Sequence, residues 1–371
     1  MSEDKSCWIP FDMMEAFMRD VFVGLGVPEE DAAICADVLI ESDKRGIDSH
    51  GVGRLKPIYY DRIKLGIQEP ITNFEIVREG PTTAVIDGHD GMGHVIAKRS
   101  MQMAIDKAKK YGMGMVAVRN STHYGIAGYY ATMATEQNCI GMTGTNARPS
   151  IAPTFGVENM LGTNPLTIGI PTDEEFPFCL DCATSVSQRG KIEVYDRQGK
   201  DIPPGWVIDH SGQYRTDTTQ ILKDLVAGKA ALVPVGGQGE ETGGYKGYGY
   251  ATVVEILSAA LQSGSYLKAL LGFNDDGSRR PYRLGHFFLA VDVEAFVEAK
   301  EFKKTAGEIC RALRASKKAP DAPRIFTAGE KEHDAWLYRQ DKGVPVNEAL
   351  QKNMLIMKEE LKLTKYEFPF E

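Results

Sequence analysis

Residues 82–146 read TTAVIDGHDGMGHVIAKRSMQMAIDKAKKYGMGMVAVRNSTHYGIAGYYATMATEQNCIGMTGTN. Their rhythm decides the fold class. TTAVIDG (82–88), MGMVAVRNS (113–121) and CIGMTGTN (139–146) are short β-prone runs. Between them, HVIAKRSMQMAIDKAKKYG (94–112) and IAGYYATMATEQ (126–137) carry apolar residues at helical spacing. Strand, helix, strand, helix, strand at this spacing is the pattern of an α/β unit with parallel pairing.

Toward the N-terminus the texture is helical. FDMMEAFMRDVFVGLG (11–26) places Phe11, Met14, Phe17, Met18 and Val21 on one face, and Gly26 ends it. VPEEDAAICADVLIESDKRG (27–46) opens on Pro28 with acids that suit the positive end of the helix dipole, and Gly46 stops it. A third helix is expected to run from Arg54 through RLKPIYYDRIKLG (54–66). Toward the C-terminus, strands are expected in PLTIGIPT (165–172), FPFCLDCA (176–183), AALVPV (230–235) and HFFLAVDV (286–293), with a helix in YGYATVVEILSAALQSG (248–264). The tail from about residue 300 is again helical and charged. The expected division is a helical domain formed by both chain ends, residues 1–78 and 300–371, around an α/β domain spanning 79–299.

Composition narrows the function. A chain of 371 residues predicts two or three domains. Apolar residues at 43% and charged residues at 25% are ordinary for a globular protein. A net charge of −8, with no basic stripe, argues against nucleic acid as a partner. No apolar run approaches the roughly 18–20 residues that span a bilayer, and the opening MSEDKSCWIP is too acidic for a secretory leader. Six cysteines are too sparse for a disulfide framework, which points to the cytoplasm.

Four stretches carry candidate chemistry. In DSHGVGRL (48–55), His50 lies beside Ser49 with Arg54 one helical turn on. Histidine titrates near neutrality and suits proton transfer, and arginine grips a carboxylate through two parallel hydrogen bonds. Together they suggest chemistry on a small carboxylate-bearing molecule. RNSTHYGIAGYY (119–130) joins a strand to a helix, where backbone N–H groups can meet an anion. VPVGGQGEETGGYKGYG (233–249) runs into a helix with Lys246 at its mouth, placed to meet a phosphate or carboxylate. CLDC (179–182) has CxxC spacing but no second pair, so a metal or redox role is not expected. Asp181 within it is a carboxylate at a strand end that needs a partner, and a histidine is a natural one. The GxGxxG signature of a Rossmann dinucleotide fold is missing.

Read together, DSHGVGRL, RNSTHYGIAGYYA, TNARPSIAPTFG (145–156), LGTNPLTIGIPT (161–172), DCATS (181–185), GGYKGYG (243–249) and AGEKE (328–332) resemble the type 2 malate/L-lactate dehydrogenase family over nearly the whole chain. The resemblance implies a non-Rossmann α/β fold with a central mixed sheet and a helical domain built from both ends. It also implies an NAD(P)-dependent oxidoreductase, NAD first and NADP second, acting as a homodimer. His50 is then the acid/base, oriented by Ser49 and Asp181, with Arg54 and Thr163 as substrate contacts. His123, Tyr124, Gly125, Asp181, Cys182, Ala183, Lys246, Gly329 and Glu330 are the expected coenzyme contacts, and no metal is expected. Ala147, Cys182 and Tyr245 depart from the Ser, Met and His that the family often carries there, and Phe273–Phe287 finds no counterpart. The expected reaction interconverts a 2-hydroxy acid, malate first, and its 2-oxo acid. Lactate-like acids, sulfolactate and ureidoglycolate are the other substrates, with a cyclic-imine or other keto-acid reductase and a catalytically silent nucleotide-binding scaffold as alternatives.

Overall fold

The apolar periodicities of the chain close into packed clusters around one large sheet. The computed structural model describes residues 7–371; the acidic opening stretch, residues 1–6, lies outside them. Strand β1 (Cys7–Ile9) leads into helices α1 (Phe11–Gly24) and α2 (Glu29–Lys44), and a loop then reaches the short α3 (Asp61–Lys64). Next come β2 (Glu75–Glu79), β3 (Thr83–Asp87), α4 (Gly93–Tyr111), β4 (Met113–Ser121), α5 (Ala127–Glu136), β5 (Cys139–Thr145), β6 (Leu166–Ile170) and β7 (Phe178–Cys182). A middle section holds α6 (Arg189–Arg197), β8 (Val207–Asp209), β9 (Tyr214–Arg215), α7 (Thr218–Val226) and β10 (Ala230–Leu232). After α8 (Gly244–Leu257) and β11 (Leu284–Asp292), the chain finishes with α9 (Ala299–Ala315), α10 (Glu330–Arg339), β12 (Val344–Val346) and α11 (Glu348–Glu360).

The central sheet has the order β2-β3-β4-β11-β5-β6-β7. Parallel pairing occurs between β3 and β4, Thr83 facing Met115 through Asp87 facing Arg119, with α4 as the crossover. The expected continuation of parallel pairing into β5 does not occur. β11 lies between β4 and β5 and is antiparallel to both. The α5 crossover still makes β4 and β5 run in the same direction, but a strand from far along the chain fills the gap. The sheet is therefore mixed, and α4 and α5 pack on it through Ile96, Met101, Ile105, Tyr130 and Ala134.

The two chain ends share a core. Met14, Phe17, Met18, Val21 and Phe22 of α1 are buried with Cys35 and Leu39 of α2, and Val344, Met354, Met357, Tyr366 and Phe368 close over them from the C-terminal side. The middle section has its own core of Ile151, Ile192, Val207, Ile221 and Leu232. Its elements α6, α7, β8 and β9 are nine residues or fewer and were not expected from the sequence.

The expected helix from Arg54 is broken into three pieces. A 3₁₀ turn covers Val52–Arg54, a wide π turn covers Leu55–Tyr60, and regular α geometry holds only at α3. Pro57 lies inside the π turn and has no N–H to give to the preceding turn, so the backbone widens there.

Candidate active site

The loop after α2 is seated on a buried carboxyl. Gly46 leaves α2 with φ +72, and the Ser42 hydroxyl donates to the Ile47 carbonyl at 2.8 Å. His50 N–H returns to the same Ile47 carbonyl at 2.9 Å. Asp43, fully buried, accepts the Val52 N–H at 2.8 Å. Burial pushes its carboxyl up to about 8. A Cβ at Gly51 would fall 1.9 Å from Asp43 Oδ1, so glycine is the residue that lets the backbone pass over this seat.

Two imidazoles meet above this loop. The rings of His50 and His123 are nearly parallel, with centroids 5.8 Å apart. Ser49 Oγ is 2.8 Å from His50 Nδ1. His123 Nδ1 faces two groups, the Tyr59 hydroxyl at 2.5 Å and the Gly125 N–H at 3.3 Å. The backbone N–H can only donate, so His123 Nδ1 is an acceptor and the neutral ring carries its hydrogen on Nε2. His50 has no such constraint, because a hydroxyl both donates and accepts. Burial, then the charge of Arg54, pulls the His50 pKa down to about 4. Burial, then His50, Arg62 and further positive neighbours, holds His123 well below its ordinary value. Both rings are neutral at pH 7.

Arg54 Nε donates to the Ser49 carbonyl, which ties the guanidinium to the backbone beside His50. Three residues of this neighbourhood left no signal in the sequence reading. Tyr59 lies on the π turn, Arg62 on α3, and Tyr282 in the unmatched segment before β11, with the Arg62 guanidinium carbon 4.4 Å from the Tyr282 ring centre.

Asp181 does not orient His50. Its carboxylate accepts the Gly128 N–H at 2.7 Å and the Thr167 hydroxyl at 2.9 Å. The free N–H expected at the start of α5 is thus answered from within, by an acid at the positive end of a helix. The outer flank of Asp181 is open to solvent, but its carboxyl is packed in, and that packing raises its pKa against those two bonds.

Asp181 instead borders a cavity of about 480 Å³ that it shares with Gly128, Cys179 and Gly329. Ile47 reaches this cavity from the His50 loop, and Phe176, stacked on His333 at 4.9 Å, and Trp336 line it as well. Gly329 sits at φ +94, where a Cβ would meet the Pro177 carbonyl at 2.7 Å. Glu330, an expected coenzyme contact, does not line this cavity. Its buried carboxylate accepts the Thr327 N–H at 3.0 Å and lies between Arg314 and Arg324, 3.8 and 3.5 Å away. Glu332 and His333 line the cavity in its place.

The Tyr124 ring is also unavailable. It is buried between His286 and Tyr130, with centroids 4.5 and 5.0 Å away. Gly125, φ +79, has no room for a side chain against Val38 and His94. The Thr163 carbonyl accepts both the N–H and the hydroxyl of Thr184, at 2.9 and 3.0 Å, which ties it to the DCATS segment. Cys182 is exposed and Ala183 half-exposed beside it. Val235 N–H bonds the Thr184 carbonyl at 2.8 Å, so the glycine-rich run docks on the same segment. That run is folded into turns, and Gly244 passes so close to the Gly237 carbonyl that a Cβ would lie 2.0 Å from it. α8 starts at Gly244, so Lys246 is in its first turn, exposed.

The malate/L-lactate dehydrogenase family matches residues 9–355. The chain is 45% identical to the malate dehydrogenase of Pyrococcus horikoshii over 338 residues, 91% of each protein. It is 39% identical to the L-sulfolactate dehydrogenase of Methanocaldococcus jannaschii, covering 87% of this chain and 88% of that one. The crystal structure of malate dehydrogenase from Entamoeba histolytica superposes with a TM-score of 0.94 at 44% identity, over 98% of this chain and 100% of that one. With a mixed α/β sheet in place of a Rossmann fold and a histidine–arginine loop meeting His123 just beyond β4, this chain belongs to the malate/L-lactate dehydrogenase family, and with it to the dehydrogenases of 2-hydroxy acids.

Proposed function

We propose that the protein is an NAD-dependent malate dehydrogenase, interconverting malate and oxaloacetate with His50 as acid/base. The observation that carries this reading is the neutral pair His50 and His123 beside Arg54, whose guanidinium has no carboxylate partner among the described residues.

Membership of the family implies a nicotinamide coenzyme. The cavity at Asp181 fits one: Phe176 and Trp336 give it an apolar aromatic wall, Asp181 an acceptor for ribose hydroxyls, and Gly128 and Gly329 close approach. When bound, the nicotinamide supplies the hydride acceptor or donor. The chain's own residues do the rest. Arg54 fixes the substrate carboxylate through its two Nη groups. His50 takes the hydroxyl proton on Nε2 while its Nδ1–H donates to Ser49, and returns the proton in the reverse direction. His123 donates from Nε2 to the substrate oxygen, its tautomer held by Tyr59 and Gly125. Asp181 acts at the coenzyme, not on the imidazole.

NAD is favoured over NADP by charge. Glu41, Glu136, Glu175, Asp181 and Glu332 all line the cavity, and its cations Lys44 and Arg45 are already paired with Glu41 at 2.9 and 3.3 Å. A 2′-phosphate there meets repulsion. The homodimer is supported by α8, whose Tyr250, Val253 and Ile256 are exposed together. No described helix is long and apolar enough to cross a membrane, and the six cysteines are free thiols, which supports a cytoplasmic enzyme.

The test follows absorbance at the NADH band with oxaloacetate, pyruvate, sulfopyruvate and cyclic imines, using both coenzymes. The expected result is fastest turnover of oxaloacetate with NADH. Turnover confined to cyclic imines would assign a ketimine reductase, and coenzyme binding without turnover of any of them would leave a nucleotide-binding scaffold.

A further inference from the structure

Arg54 has company. Arg62, on α3, adds its charge to that of Arg54 at His123, where burial and then His50 are the larger causes of the lowered pKa. Arg148 follows the Asn146–Ala147 turn and adds a third positive charge felt by Arg62. The backbone explains why Arg148 and Tyr282 share one corner. Asn146 Oδ1 accepts the Gly285 N–H at 2.8 Å, and Asn146 N–H bonds the Gly285 carbonyl at 3.3 Å. Leu284 pairs with Ser121, two residues before His123, so the same corner borders the imidazole pair.

Arg62 is held in place without an acid. Its guanidinium carbon stacks 4.4 Å from the Tyr282 ring centre. The Tyr282 ring is itself wedged against Gly272, where a Cβ would lie 2.9 Å from it. No carboxylate among the described residues comes within 4.0 Å of the guanidinium nitrogens of Arg54, Arg62 or Arg148. Elsewhere in the chain the partly buried arginines find acids: Arg99 has Asp31 at 2.7 Å, and Arg119 has Asp87 at 2.7 Å. Arg62 feels the charge of Arg54 and, less, that of the exposed Arg148, and with no acid beside any of the three a ligand with a single negative charge leaves part of that repulsion in place.

We propose that Arg62 and Arg148 form a second anion pocket, on the Tyr282 platform, that takes the distal acidic group of a dianionic substrate while Arg54 holds its 2-carboxylate. This deepens the malate reading and rests on it. The substrate class is a four-carbon 2-oxo dicarboxylate, or a 2-oxo acid with another terminal anion such as sulfonate, and not a monocarboxylate. Tyr282 is a positioning residue, acting through Arg62.

The experiment compares kcat/KM for oxaloacetate, sulfopyruvate and pyruvate in the wild type and in Arg62→Leu, Arg148→Leu, Tyr282→Phe and Tyr282→Ala. A parallel thermal-shift titration uses malate and lactate in the presence of NAD. Loss of a charge-assisted bond predicts that Arg62→Leu lowers kcat/KM for oxaloacetate by about 10²-fold, while pyruvate turnover changes less than about threefold. Arg148→Leu follows Arg62→Leu. Tyr282→Phe keeps the platform and the selectivity; Tyr282→Ala loses selectivity without losing pyruvate turnover. Equal losses on oxaloacetate and pyruvate, or none on either, overturn the pocket and leave the dehydrogenase reading standing. Should the wild type turn over no 2-oxo acid, that reading falls. The pocket then survives only if malate stabilises the wild type more than lactate does and Arg62→Leu abolishes the difference.

Discussion

Replacing Gly51 by alanine tests whether the His50 loop depends on its seat. The new Cβ would lie 1.9, 2.2 and 2.4 Å from Oδ1, Cγ and Oδ2 of Asp43. Asp43 is 1% exposed and cannot swing into solvent. To relieve the clash, either its carboxyl releases the Val52 N–H, now bonded at 2.8 Å, or the loop lifts. Overpacking costs about 1–3 kcal/mol and an orphaned buried donor about 1–3 more, so Gly51→Ala should destabilise by about 2–6 kcal/mol. Because His50 is the adjacent residue, a shift of about 1 Å should also lower kcat by about 10²-fold. Calorimetry and steady-state kinetics measure the two effects. Asp43→Ala removes the obstacle, so the double variant should be more stable than the sum of the single losses by about 1–3 kcal/mol. A Gly51→Ala enzyme within about 0.5 kcal/mol of wild type with normal kcat, or strictly additive losses, would refute the reasoning.

His50→Asn should lower kcat by about 10²–10⁴-fold without changing coenzyme affinity. His123→Asn, which loses a neutral donor, should cost about 10-fold; equal losses would remove the distinction between acid/base and donor. Since burial and Arg54 bring His50 to about 4, it remains a base well below its ordinary value, and kcat/KM for malate oxidation should stay level from pH 8 to about 5. An inflection near 6.5 would contradict this. Stability should behave differently, because His94 and His286 are buried neutral with pKa values near 3. Their contribution is complete above about 6.5 and is lost as pH falls toward 3, by up to about 1.4 kcal/mol per pH unit for each ring; denaturant melts between pH 7 and 4.5 measure it. Val253→Asp on the exposed face of α8 should shift sedimentation from dimer to monomer, and a wild type that sediments as a monomer would rule the dimer out.

What the sequence determined by itself was local. The alternation of period-two and helical runs from Thr83 to Thr145 specifies β3, α4, β4, α5 and β5, since each pattern is set by neighbours a few residues away. Ser49, His50 and Arg54 were legible as a site because one short loop carries all three, and the family resemblance rested on similar short segments. In the middle section only the β10 run was legible, because α6, α7, β8 and β9 span nine residues or fewer, too few turns or alternations to stand out.

Tertiary structure decided the pairings. Which strand separates β4 and β5 depends on β11, about 140 residues beyond β5, and no local pattern encodes that partner. Pro57 redirected an expected helix into a π turn, which carries Tyr59 to His123. Asp181 read as a partner for an imidazole, but α5 ends its approach and offers the Gly128 N–H first. Glu330 likewise found Arg314 and Arg324 before any ligand. Arg62 and Tyr282 come from distant segments and meet only in the fold, and the bond from Gly285 to Asn146 brings the segment of Arg148 beside that of Tyr282. Charge and hydrogen-bonding capacity are written in the residues, but which groups satisfy one another is settled by packing, where each buried polar atom takes the nearest partner the fold provides.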